Sequence, residues 1–229
     1  MGMQTGAWER FGTGTLSRAA AFVYHLLVVE LLLLATAGPG LAVLVLLDRD
    51  ASNVPLAAAC ALPVGPAVSA ALYGLHRRRL DLTDLRPAAT FWRGYRLNAR
   101  GVLPFWVLWL AWVTVLGVSL VNLSAAGLPR WWAVLLVLVA VMATLWALNA
   151  LVISSLFTFR TRDVARLAAY FLVRTPGAPI ANACLLVVAA GVVLVSSEAV
   201  LAVSGSLLAL ALLHNCRRLI AVVHQEFVA

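Results

Sequence analysis

The stretch AAAFVYHLLVVELLLLATAGPGLAVLVLL, residues 19–47, decides the fold class of this chain. It is almost unbroken apolar sequence, interrupted in its first half only by His25 and Glu30. A helix that crosses a bilayer needs about 20 consecutive, mostly apolar residues. This stretch exceeds that length, and Gly38-Pro39-Gly40 predicts a kink or break within it. Asp48, Arg49 and Asp50 close it in an exposed turn.

The rest of the chain is of the same kind. Of 229 residues 63% are hydrophobic and the mean hydropathy is +0.98. A soluble domain averages about 45–50% apolar residues, so no water-soluble fold of this size hides so much. Strand-type alternation is absent, which argues against an outer-membrane barrel. The net charge is +8 without a single lysine. Arginine in place of lysine, with abundant Ala, Leu and Val, points to a GC-rich bacterial source. Because the arginines flank apolar runs and no nucleic-acid motif is present, anionic lipid and the positive-inside rule explain them before nucleic acid does. Cys60, Cys184 and Cys216 match no metal spacing. Residues 1–18, with Trp8, Phe11 and Arg18, read as an interfacial segment before a retained first span, not as a cleaved leader.

Five further spans follow: about 54–75, kinked at Pro55, Pro63, Gly65 and Pro66; 102–123; 131–157; 179–196; and a short 199–213. The last two are short enough to be one re-entrant unit. The chain therefore reads as a single all-α domain over 1–229, a polytopic transmembrane helical bundle of about six spans. Its even count puts the N-terminus, the arginine-rich segments 76–101 and 158–178, and the C-terminus on one side. That side collects fifteen of the seventeen arginines, all but Arg49 and Arg130, and is expected to be cytoplasmic in a bacterial plasma membrane. The three hairpins this makes suggest a degenerate internal repeat.

The 85–101 segment is more than a charged loop. Pro87 suits a first helical turn. At 100° per residue Phe91, Trp92, Tyr95, Asn98 and Val102 share one face, while Arg93, Arg96 and Arg100 share the other. This predicts an amphipathic elbow helix lying along the inner surface, either a simple connector or a docking surface for a partner. The 160–174 segment segregates less clearly and receives no face assignment.

Polar residues inside spans are costly and therefore informative. Glu30 is near mid-span: either a proton- or substrate-linked carboxylate, or a protonated acid bonded to a neighbouring helix. His25, five residues earlier, is well round the helix from it. Asn149, with Asn122 and Asn182, reads as helix-to-helix glue. His214-Asn215-Cys216 offers soft ligands with nothing to complete a set. There is no nucleophile elbow, zinc-protease motif, P-loop or paired carboxylate. No catalytic residue, metal or cofactor is assigned.

Three stretches carry a resemblance: Glu30 to Leu34 with Gly40-Leu41; Leu62 to Tyr73, containing Gly65, Pro66 and Ala67; and Phe91 to Asn98, containing Gly94 and Tyr95. A Gly-Pro-Ala-x-x-Ala-Leu-Tyr helix followed by Phe-x-x-Gly-aromatic-Arg-x-Asn resembles the YesL-like family of bacterial integral membrane proteins, sharply over about 60–110 and topologically elsewhere. The resemblance implies genomic company with carbohydrate ABC transporters and glycan-degrading enzymes, not an activity. The chain departs from the pattern at Glu30, where the family usually has Asn, and in a longer, Ala-rich stretch before Gly65. The expectation is a non-enzymatic accessory or regulatory partner of a sugar uptake system, docking through its arginine-rich elbows. The alternative is a small transporter or channel, oligomeric, with Glu30 and Asn149 along its path.

Overall fold

A computed structural model describes residues 15–47, 50–78, 86–123, 125–127 and 129–227. The interfacial reading of Trp8 and Phe11 lies outside these residues. Among them the chain forms ten α-helices and no strand. These are α1 (Thr15–Leu46), α2 (Val54–Cys60), α3 (Val64–His76), α4 (Pro87–Val121), α5 (Trp131–Leu156), α6 (Thr161–Arg174), α7 (Gly177–Val195), α8 (Glu198–Val203), α9 (Gly205–Asn215) and α10 (Arg217–Phe227). Five stretches are long and apolar enough to cross a membrane: α1, α2 with α3, α4, α5 and α7. The chain is a multi-pass, all-α membrane protein. Its outward side chains, among them Leu27, Leu31, Leu108, Leu138, Val187 and Leu194, form the apolar surface that lipid covers.

Of the kink or break expected in α1, the break does not occur. The helix runs unbroken through Pro39 for 32 residues, about 48 Å. In lipid a broken helix exposes backbone groups with nothing to bond them, which favours continuity. Gly40 serves packing instead: a Cβ there would run into the Cys60 carbonyl at the end of α2. The second span does bend as expected. Its helix stops at Cys60 and resumes at Val64, with Pro63 at the cap of α3. Partly buried hydroxyls follow the same economy, since Thr36, Thr114 and Thr144 each bond the carbonyl four residues back.

One further expectation is corrected, and one open segment is assigned. The 85–101 segment is not a separate elbow: it is the first half of α4, one 35-residue helix that continues through Gly101 and Pro104. The expected boundary marked a change of composition, and nothing at Gly101 breaks the helix. The 160–174 segment, left unassigned, is a regular amphipathic helix, α6, with Val164, Ala168 and Phe171 buried and Arg162 and Arg166 exposed.

Side-chain contacts fix which ends lie together. Arg78 sits over the Phe22 ring at 5.2 Å, joining the start of α1 to the end of α3. Tyr73 packs on Gly94, joining α3 to the first half of α4. Asn98 donates to the Ser155 carbonyl at the end of α5 (3.0 Å), and Asn215 of α9 donates to Asn182 near the start of α7 (3.1 Å). The arginine-bearing ends therefore meet on one side, and Arg130 precedes α5 at the opposite end. Since α7 leaves that side and Asn215 is back on it, the chain returns within residues 196–215. This return, expected as a single helix over 199–213, is α8 and α9, interrupted at Ser204; a sixth span is counted only if α9 and α10 together make one bent span. α10 then turns 54° away from α9 and buries Leu219 and Val223 while exposing Arg217 and Arg218.

Candidate functional site

Two places carry the sequence-predicted residues: the arginine-bearing half of α4, and the polar positions inside the bundle. The first is built from the inside out. Phe91, Gly94 and Val102 are buried, and Tyr95 and Asn98 are partly so. A Cβ on Gly94 would lie 2.8 Å from Cδ1 and 2.9 Å from Cβ of Tyr73, so only glycine lets α3 and α4 approach this closely. One level deeper Gly65 does the same against Trp106, whose ring would lie 2.5 Å from a Cβ, and the Trp106 indole donates to the Ala61 carbonyl at 3.1 Å. Asn98 bonds α5, and on that helix Ser155 bonds Ser69 of α3 at 2.8 Å. The resemblance residues Gly65, Pro66, Ala67, Tyr73, Phe91, Gly94 and Asn98 thus form one seam binding α3, α4 and α5.

The opposite face of this half-helix is bare. Arg93, Arg96 and Arg100 are exposed as expected. Trp92, expected on the packed face, is 42% exposed, and Leu97, given no role, is 61% exposed. Ala89, Trp92, Arg93, Arg96 and Leu97 line a shallow concavity of about 600 Å³. Arginine forks beside an exposed indole and a leucine can hold carboxylate or phosphate groups at a membrane boundary.

Inside the bundle, Glu30 and His25 both face inward, at 9% and 4% exposure. The wide angle between them does not separate them, because the packed face of α1 is broad enough to take both. Glu30 Oε2 accepts from the Ser206 backbone N–H at 2.5 Å, while Oε1 is buried with no hydrogen-bond partner. Neither ring nitrogen of His25 has a well-formed hydrogen bond. Asn149 is fully buried, yet its amide oxygen and nitrogen have no partner either, so the expected glue role is not what this geometry provides. Glu30 and Asn149 share no hydrogen bond. Asn182 does act as glue, bonding Asn215 and the Cys216 thiol. Asn122 folds back onto its own helix at Val118.

The His214 to Cys216 stretch does not converge on a ligand. The exposed His214 ring bonds Arg217 at 2.9 Å, and Cys216 turns into the core. Among the described residues no three His, Cys, Asp or Glu side chains gather as a metal set. The residue that sequence reasoning missed is Ser206, whose Ser204-Gly205-Ser206 context is the signal that could have found it.

Comparison with protein-family models, with curated proteins and with solved structures finds no match.

Proposed function

We propose that this chain is a non-enzymatic accessory or regulatory subunit of a carbohydrate ABC transport system, related to YesL-like proteins. We place it in the bacterial cytoplasmic membrane with both termini in the cytoplasm. The observation that carries the reading is the two-sided first half of α4. One face is locked into α3 and α5, and the other presents Arg93, Arg96 and Arg100 around exposed Trp92 and Leu97. Buried aromatic and arginine anchors dominate protein interfaces, and here they stand on a rigid element. The resemblance supplies the class of partner, and the excess of arginine on one side supplies the orientation.

The test is a pull-down of the tagged chain in mild detergent from its own host, with mass spectrometry. A stoichiometric permease lost on Arg93→Glu/Arg96→Glu/Arg100→Glu supports the proposal. A permease that the triple variant retains sinks the docking surface, and isolation of a homo-oligomer alone sinks the accessory role. The second reading, a small transporter with Glu30 in its path, is favoured by the buried carboxylate. It requires substrate flux in liposomes of the purified chain, lost on Glu30→Gln.

A further inference from the structure

The stretch that returns from α7 stops being one helix at Ser204, and the cause lies on another helix. In an unbroken helix the Ser206 N–H would bond the Ala202 carbonyl four residues back. It donates instead to Glu30 Oε2 on α1. The Ser204 hydroxyl folds back onto the carbonyls of Val200 (2.9 Å) and Leu201 (3.0 Å), closing the end of α8. The N-terminus of the 11-residue α9 thus points at a carboxylate, and its partial positive charge favours an anion there.

This contact uses only half of the carboxylate. Oε1 is buried, and none of its neighbours bonds it. Gly205 stands beside it: a Cβ at 205 would lie 3.5 Å from Oε1 and 3.3 Å from Leu33 Cδ1. Glycine therefore leaves open the flank that a side chain would fill. An intramembrane carboxylate with one bonded and one unbonded oxygen matches the chemistry of proton uptake in membranes.

We propose that Oε1 of Glu30 takes up a proton at the break between α8 and α9, and that uptake releases the Ser206 N–H. The coupling follows from charge. A carboxylate accepts a charge-assisted bond that is roughly twice as strong as a neutral one. Neutralising it weakens the hold on Ser206, whose N–H then returns to the Ala202 carbonyl and straightens the stretch. Few other ionisable groups stand on the surrounding helices. His25 is on α1 itself, one and a half turns toward the arginine-bearing end. Tyr73 and His76 are at that end of α3, and His214 is at that end of α9. Arg93, Tyr95, Arg96 and Arg100 are at the same end of α4; α2 carries Cys60 and α7 Cys184; α8 begins at Glu198. The proposal uses the same residue as the transport reading but requires no flux, so failure of either leaves the other to its own test.

The experiment is infrared difference spectroscopy of the whole chain in nanodiscs, in sodium-free choline buffer. It records spectra on stepping pH and, separately, on perfusing sodium chloride. The expected result is a protonated-carboxyl band that responds to the pH step, is missing in Glu30→Gln and shifts in Glu30→Asp. The aspartate variant keeps the acid should the glutamine variant fail to fold. A band that follows pH and ignores sodium supports the proposal. Carboxylate bands of Glu30 that respond to sodium and not to pH overturn it. A wild-type spectrum with no Glu30 component under either step overturns the proposal and leaves Glu30 as a fixed helix cap.

Discussion

Gly94 and Gly101 occupy the same helix two turns apart and make opposite predictions. Replacing glycine by alanine inside a helix favours the folded state by roughly 0.5–1 kcal/mol, because alanine loses less backbone freedom. At Gly101 nothing lies within 4 Å of the new methyl, so Gly101→Ala keeps that gain. At Gly94 the methyl would meet Tyr73 Cδ1, Cβ and Cγ at 2.8, 2.9 and 3.0 Å. The Tyr73 Cβ cannot swing aside, because α3 fixes it, and Arg77 covers the ring at 4.9 Å from its centroid. Carbon atoms pack best at about 3.5–4.0 Å, so the two helices must part by several tenths of an ångström. Overpacking of this kind costs about 1–3 kcal/mol. The two variants should therefore differ by about that amount, roughly 5- to 150-fold in the unfolding equilibrium, with Gly94→Ala the weaker. The assay is reversible unfolding in mixed micelles as the denaturing detergent fraction rises, followed by tryptophan fluorescence. Equal midpoints for the two variants would falsify the close-packed seam between α3 and α4.

Three other outcomes follow from the same geometry. Asn98→Ala should lower stability by about 0.6–1.7 kcal/mol, the range for interhelical hydrogen bonds in membranes, in the same micelle titration; no change would mean that the Ser155 carbonyl loses nothing. Asn149→Leu should be neutral or stabilising, because two buried amide atoms without partners give way to an apolar side chain of similar size; a loss of more than about 1 kcal/mol would show that the amide has a partner. With the native cysteines removed, Arg96→Cys, Arg166→Cys and Arg218→Cys should react with an impermeant maleimide from one face of inverted or right-side-out vesicles, and Arg130→Cys from the other; labelling of Arg218→Cys with Arg130→Cys would remove the return that follows α7.

What was legible in the sequence is what hydropathy and arginine position encode. The 131–157 and 179–196 spans match α5 and α7 to within two residues at each end, because both are bounded by polar or turn-forming residues that end a helix in water and lipid alike. The burial of Phe91 and Val102 against the exposure of Arg93, Arg96 and Arg100 followed from angular spacing alone. Trp92 was misplaced because spacing gives the angle between residues but not the width of the packed arc, and Gly94, with no side chain to weigh, centres that arc. α6 was missed since its stripe runs through Ala168, too small to read as apolar. The continuity of α1 through Gly38-Pro39-Gly40 was hidden for a different reason. A breaker in water is weaker in lipid, where a break strands backbone groups. The interruption at Ser204 was marked in the sequence only by Ser204-Gly205-Ser206, because the Ser206 N–H is taken by Glu30, 176 positions earlier in the chain.

These contacts also divide the bundle mechanically. Among the described residues, every glycine whose added Cβ would come within 3.0 Å of a neighbour belongs to α1, α3 or α4, at Gly40, Gly65 and Gly94. That half is held by close backbone approach, and by Asn98, Ser69 and Ser155 across three helices. On the other side α7 has 11% of its apolar window buried, the least of the five spans, against 17% for α1, 22% for α4 and 39% for α5. Local stability follows buried contact, so among the spans opening free energy is lowest in α7. Glu30 stands on the close-packed half and holds the N-terminus of α9, which buries Ala209, Leu212 and Leu213 in the core. Hydrogen exchange should order the helices accordingly, with amides of α7 exchanging before those of α3 and α5. Equal protection of Val187 and Leu151 would refute the division.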